Sequence, residues 1–271
     1  MSLPTNFFIG RGAGGGLAFS ADRMPLADLP SPSSFTVNNS SAAGSGGMFV
    51  NAAGNYMFLF EGSMVRRYTF GSAHNLSTLG TIASDVWSVP SGKGNRAFTM
   101  SADGQKSFTI SETPKDLYPW THNAYLPSGG SNNSHYGIST HGTEAYPHTL
   151  RFDSTGTKFI IQWYSGSSKV HSYTTSTPYD YGSSTRISTN TINNDGVRQM
   201  AVSDDGTFAC YMVPGATTLY SYYMSTPWDV STLYGFQTRS NFLSGVNVEG
   251  CFIADKYLYM AGGNQIRQYA I

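Results

Sequence analysis

Apolar and β-branched residues come in short runs along the chain, separated by clusters of Gly, Asp, Asn and Ser, and the runs repeat. Four segments superimpose on a glycine: FVNAAGNYMFLF at Gly54, FTMSADGQKSFTI at Gly104, LRFDSTGTKFIIQ at Gly156 and MAVSDDGTFACYM at Gly206, at spacings of 50, 52 and 50 residues. In each, an alternating apolar run leads into a polar turn and out into a second β-rich run. That pattern predicts a hairpin whose glycine supplies the positive φ of a tight connection. A fifth copy, GCFIADKYLYMAG, follows one period later with its turn shortened to Ala254-Asp255-Lys256.

A Tyr-rich run after each hairpin predicts a third strand: MVRRYTF (64–70), KVHSYTT (169–175), TLYSYYM (218–224) and QIRQYAI (265–271). In the second copy this strand falls within DLYPWTHNAYL (116–126). A turn motif comes next, graded from STPWDVSTL (225–233) through STPYDYGSS (176–184) to SAHNLSTLG (72–80), and a fourth run follows, such as TRISTN (185–190) or YGFQTRS (234–240). Four strands in a repeat of about fifty residues are the content of one propeller blade.

The last copy ends after its third strand, and PLADLPSPSSFTVNN (25–39) resembles PYDYGSSTRIST (178–189), a turn followed by a fourth strand. The expectation is therefore an all-β chain with a single five-bladed β-propeller over residues 25–271, its last blade completed by an N-terminal strand. Residues 1–24 are read as an anchor or hinge. Within them GLAFSAD (16–22) resembles a first strand out of step with the period, a relic or an additional edge strand.

Composition agrees with this pattern. Charged residues are 12% of the chain, aromatics 14%, and there are 30 glycines, a mixture that favours strands and tight turns over helices. Sixteen basic residues balance sixteen acidic ones, which excludes a partner recruited by net charge, whether nucleic acid or an anionic membrane surface. No run approaches the eighteen apolar residues of a membrane span, and the start has no basic region followed by an apolar one, so neither membrane insertion nor a signal peptide is expected. Cys210 and Cys251 lack a CxxC spacing and are read as buried, reduced side chains.

The turn motif has a reading of its own. In Thr226-Pro227-Trp228-Asp229 and Thr177-Pro178-Tyr179-Asp180, Thr is read as a helical cap, Pro as the first helical residue, and the acid as returning a bond to the cap. The aromatic ring would fold over the blade edge or meet a neighbouring subunit. Recurrence in different blades favours a structural role for these residues and for Gly54, Gly104, Gly156 and Gly206 over catalysis.

Repeats of this kind, with Ser203-Asp204-Asp205-Gly206, Asp153-Ser154-Thr155-Gly156, Ser101-Ala102-Asp103-Gly104 and the Thr-Pro-aromatic-Asp turns, resemble the propeller repeats of tailed-bacteriophage virion proteins. The resemblance implies a non-enzymatic, tail-associated part of fibre, receptor-binding or adaptor type, made in the host cytoplasm and located in the virion in multiple copies. Its partners would be other virion proteins or a host-surface glycan. Phe7, Phe8 and Ile9 would be the apolar anchor. Two alternatives are a capsid decoration protein and a propeller glycoside hydrolase.

The hydrolase alternative requires carboxylates facing one another at the central funnel. Glu144 and Glu249 lie near first strands and Asp195 just before one. Asp103, Asp153, Asp204 and Asp205 suit Asx turns better than calcium, since no D-x-D-x-D-G loop is present. His135, His141 and His148, at spacings of six and seven, fit no common zinc pattern. GRGAGGG (10–16) lacks the Lys-Ser/Thr of a phosphate loop. No metal or other cofactor is expected, and no ligand-binding residue is assigned.

Overall fold

The computed structural model describes residues 32–36, 47–61, 64–80, 86–88, 95–112, 115–123, 125–132, 136–138, 146–165, 167–192, 196–197, 199–213, 217–240, 242, 248–263 and 265–271. Strand β1 (Ser33–Thr36) comes first in the chain, ahead of five consecutive strand groups. Blade 1 is β2 (Met48–Val50), β3 (Tyr56–Glu61), β4 (Met64–Thr69) and β5 (Val86–Ser88). Blade 2 is β6 (Asn95–Met100), β7 (Lys106–Ser111) and β8 (Asp116–Asn123), with β9 (Leu126–Asn132) and β10 (Tyr136–Gly137) sharing its outer position. Blade 3 is β11 (Tyr146–Phe152), β12 (Lys158–Ser165), β13 (Ser167–Thr175) and β14 (Ser184–Thr191). Blade 4 is β15 (Gln199–Val202), β16 (Phe208–Met212), β17 (Leu219–Met224) and β18 (Leu233–Arg239). Blade 5 is β19 (Gly250–Ala254), β20 (Tyr257–Gly262) and β21 (Gln265–Ala270).

The innermost strands β2, β6, β11, β15 and β19 touch in a closed cycle, so the sheets form the five-bladed propeller expected from the repeat. Strand β1 pairs antiparallel with β21, from Ser33 opposite Gln268 to Thr36 opposite Gln265. The N-terminal strand thereby completes the last blade and covers an edge that would otherwise be open. Residues 1–24, including Phe7, Phe8, Ile9 and the strand-like 16–22, lie outside the described residues.

The core lies between blades. One cluster joins Phe108, Ile110 and Leu117 of blade 2 to Leu150, Phe159 and Ile161 of blade 3, and another joins Cys210 and Met212 of blade 4 to Cys251 and Ile253 of blade 5. Because each inner sheet is packed on both faces, the inner strands do not show the half-buried alternation read from the sequence. Met57, Phe58, Leu59 and Phe60 are consecutive and all fully buried. The alternation survives in the outer strands β14 and β18, where Ile187, Tyr234 and Phe236 face solvent. Cys210 and Cys251 are buried free thiols, and desolvation pushes the Cys251 thiol well above its ordinary value.

Each of the first four hairpins turns on its glycine: Gly54, Gly104, Gly156 and Gly206 have φ of +66°, +69°, +71° and +70°. An aspartate or asparagine holds the turn, as where Asp103 Oδ1 accepts from Gln105 N (3.0 Å), Asp153 Oδ1 from Thr157 N (2.9 Å) and Asp205 Oδ1 from Thr207 N (3.0 Å). An aromatic residue with positive φ then lies against that glycine. His74, Tyr125, Tyr179 and Trp228 each donate their backbone N–H to the glycine carbonyl, at 3.0, 3.0, 2.8 and 2.9 Å, and their rings fill the space a Cβ would take. The ring thus packs on its own blade's hairpin, and the Tyr179 hydroxyl also accepts from Ala102 N of blade 2 (3.2 Å).

The capping assignment also needs correction. The helical turns are the short 3-10 segments Leu76–Thr78, Tyr181–Ser183 and Val230–Thr232, and their caps are Asn75, Asp180 and Asp229. Asp180 Oδ1 accepts from Gly182 N (3.0 Å) and Asp229 Oδ1 from Ser231 N (3.0 Å). Thr177 and Thr226 sit three residues earlier, and their carbonyls accept from Asp180 N and Asp229 N at 3.1 Å each. The positive φ of the intervening aromatic breaks any helix that would begin at the threonine. These 3-10 turns dock on the preceding blade: Val230 N donates to Ser172 Oγ of blade 3 (3.0 Å), and Leu76 N donates to Gln268 Oε1 of blade 5 (3.2 Å).

Candidate functional site

The propeller axis is nearly filled. The space enclosed by the five inner strands has a volume of about 10 Å³, roughly one water, and is lined by residues such as Met48, Ala97, Thr149, Met200 and Cys251. Its lining, among the described residues, contains no carboxylate. Two long polar side chains close its ends.

At the hairpin end Arg151 of β11 spans the axis. Its guanidinium carbon lies 4.0 Å from the ring centre of Phe252 and 5.9 Å from that of Phe49, in blades 5 and 1. It pairs with Asp204 of blade 4, whose Oδ2 accepts from Asp255 N (3.3 Å). Burial lowers the Arg151 pKa from its ordinary value and the Asp204 carboxylate opposes that shift. Asp204 therefore sits in the hairpin turn as an inter-blade partner, and Asp205 takes the Asx role there.

At the opposite end, Gln199 at the start of β15 crosses to blades 2 and 3. Its Nε2 donates to Arg96 O (3.0 Å) and His148 O (2.8 Å). Arg96 and His148 occupy the same position in successive repeats, and each sits in a register shift, between Asn95 and Ala97 and between Pro147 and Thr149. A β-bulge at this position turns the backbone out of the ladder and re-aims the side chain. Glu249, which precedes β19, holds the corresponding position in blade 5 and is half-buried, with its N–H bonded to Ala261 O (2.9 Å).

Side chains at this mouth carry both signs of charge. Arg96 pairs with Glu112 through one carboxylate oxygen, with Nε and Nη2 each 2.7 Å from Oε2. That leaves other N–H groups of the planar fork for a ligand. His148 is buried edge-on against Tyr164, centroids 6.2 Å apart, and Tyr164 stacks on the exposed Tyr146. The Arg96 guanidinium supplies anion recognition at this end of the axis, and the imidazole of the buried His148 and the carboxylate of the half-buried Glu249 belong to the equivalent positions of blades 3 and 5.

Of the candidates read from the sequence, Glu249 and His148 reach this mouth, while Glu144, Asp195, His135 and His141 lie outside the described residues. Arg96, Glu112, Arg151 and Gln199 escaped the sequence reading. The signal for Arg151 was present, since it interrupts the apolar run LRF at a position filled by Phe49 and Phe252 in other copies. Ser107 Oγ and His122 Nε2 are 2.6 Å apart, the spacing of a nucleophile and its base, but both are buried away from the mouth. Among the described residues, no three His, Cys, Asp or Glu side chains group closely enough to hold a metal ion.

No protein-family model matches the chain. No curated protein matches it either. Solved structures do. The chain is similar to a Lactobacillus plantarum protein at 14% identity, over 72% of this chain and 55% of that one, with a TM-score of 0.48. It is similar to a candidate 6-phosphogluconolactonase from Bacteroides fragilis at 10% identity, over 72% and 53%, with a TM-score of 0.46. A luciferin-regenerating enzyme matches at 10% identity over 88% of this chain and 76% of that one, with a TM-score of 0.53. The chain thus spans little more than half the length of the first two. The match with a TM-score above 0.5 shows the fold alone and leaves the reaction to the site.

None of these neighbours is a virion protein, and enzymes are among them. The expectations of a non-enzymatic protein, a tail-associated part and a capsid decoration protein are corrected on that finding. The physical reason is that the repeat encodes a blade, and a blade carries no information about the particle or reaction it serves. The glycoside hydrolase alternative fits no better, because the axis that should separate two carboxylates is narrow and, among the described residues, lined without them.

Proposed function

We propose that the chain is a propeller enzyme that hydrolyses a small anionic substrate at the axial mouth. The observation that carries this reading is the pair of equivalent bulges at Arg96 and His148, whose backbone carbonyls both accept from Gln199 Nε2. Arg96 binds the anionic group of the substrate, held in place by Glu112. His148 and Glu249 exchange protons with the substrate and the attacking water. Likeness to a luciferin-regenerating enzyme supports an enzymatic reading at the level of the fold.

The test is turnover of a panel of carboxylate-bearing esters, lactones and phosphate esters by the purified protein. Arg96→Met and Glu249→Gln are expected to lower kcat/KM by about 100-fold or more while leaving the melting temperature within a few degrees. Turnover that survives both substitutions, or no turnover across the panel by folded protein, overturns the reading.

A further inference from the structure

Blade 2 carries a proline in its third strand, beside a cavity. In blades 3 and 5 the third strand carries Ser172 and Gln268, which accept the 3-10 N–H of the next blade. Alignment on the hairpin places Pro119 at that position in β8, with no side-chain acceptor. Proline also has no N–H to offer an outer strand. Among the described residues, β10 pairs with Asp116 and Leu117, and β9 pairs from Trp120 to Asn123.

A cavity of about 210 Å³ lies between blade 2 and the turn of blade 3. Its lining includes the aromatic residues Trp120, Tyr136 and Tyr179, Pro119, and the charged residues Lys106 and Asp180. Lys106 Nζ lies 5.9 Å from the centre of the Tyr179 ring. The Tyr136 ring lies against the bare Cα of Gly182, 3.1 Å from where a Cβ would stand, and remains 37% exposed. Asp180 Oδ1 caps the 3-10 turn, and its carboxylate has further lone pairs to offer.

We infer that this cavity is a saccharide-binding site that takes one pyranose ring. Drug-sized ligands need pockets of about 300 Å³ or more, so this one has room for a single ring. The polarised C–H face of a sugar meets the negative face of an aromatic ring, and its hydroxyls pair with an ammonium and a carboxylate together. A purely apolar ring would leave both charged tips unpaired, and an anion would face Asp180. The inference is independent of the axial mouth, which lies on other strands.

The experiment is saturation-transfer NMR with the methyl glycosides of glucose, galactose, mannose and N-acetylglucosamine, alongside a glycan array, to tell a free monosaccharide from the terminal unit of a longer chain. Wild-type protein is expected to give saturation transfer to at least one methyl glycoside. Tyr136→Ala and Lys106→Ala, checked for folding by thermal melt, are expected to weaken it by about tenfold. Tyr234→Ala, a more exposed ring on blade 4, and Glu249→Gln at the axial mouth are expected to leave it unchanged. Folded wild-type protein that binds no sugar on either platform, or undiminished binding by Tyr136→Ala, overturns the inference.

Discussion

The indole of Trp228 occupies the space in front of Gly206 that a side chain there would need, and its backbone N–H is bonded to the carbonyl of the same glycine at 2.9 Å. Gly206→Ala is expected to cost roughly 2 to 4 kcal/mol, because it adds left-handed strain and pushes a buried ring aside. Combining it with Trp228→Ala removes the collision. The double variant should then cost about 1 kcal/mol less than the sum of the single ones, measured by urea unfolding. Strict additivity would show that ring and glycine do not form a unit.

A second expectation concerns the axial plug. The Arg151 side chain is 9% exposed and that of its partner Asp204 42%, so loss of the carboxylate strands a charge in the interior. Asp204→Asn is expected to cost about 2 kcal/mol, below the 3 to 5 of a fully buried pair because water reaches the aspartate. Arg151→Met keeps the packing against Phe49 and Phe252 without the charge, and should lie within about 1 kcal/mol of wild type. The double variant should match Arg151→Met; if it instead resembles Asp204→Asn, the ion pair is not what Asp204 contributes.

Periodicity carried most of the architecture into the sequence, because a blade is built from local contacts that recur about every fifty residues. Gly54, Gly104, Gly156 and Gly206 mark the hairpins, and the final strand QIRQYAI calls for the partner that β1 supplies. The site was harder to see for the same reason: Arg96 and His148 owe their placement to bulges, which are single-residue departures inside otherwise ordinary strands. Gln199 reads as one polar residue at a strand start, and only the closed ring brings it to the carbonyls of blades 2 and 3. The role of Trp228 was misread because a positive φ at a bulky residue runs against its own preference and is imposed by the hairpin beneath it.

Two equivalent serines separate docking from mere burial. Ser172 Oγ accepts the N–H of Val230 across the interface between blades 3 and 4, whereas Ser221, at the same place in blade 4, is buried and its Oγ has no hydrogen-bond partner among the described residues. Ser172→Ala is expected to cost about 1 to 3 kcal/mol by stranding a buried amide, and to speed hydrogen exchange at Val230. Ser221→Ala should fall within about 0.5 kcal/mol of wild type or be stabilising. Equal costs at the two positions would mean that the Val230 contact contributes nothing of its own.

The acid side of the stability profile should be shaped by His122. Burial holds its pKa at about 4, and Ser107 Oγ lies 2.6 Å from its Nε2. Below the unfolded value of about 6.5, the unfolded chain gains a proton that the folded protein refuses. Stability is thus complete above that value and is lost as pH falls from about 6.5 toward 4, after which the loss levels off. From pH 8 to pH 5 the loss from this one residue is up to about 2 kcal/mol. His122→Gln, which retains a polar group beside Ser107, should flatten that slope in urea unfolding measured across the window. A variant with the wild-type slope would assign the acid sensitivity to another group.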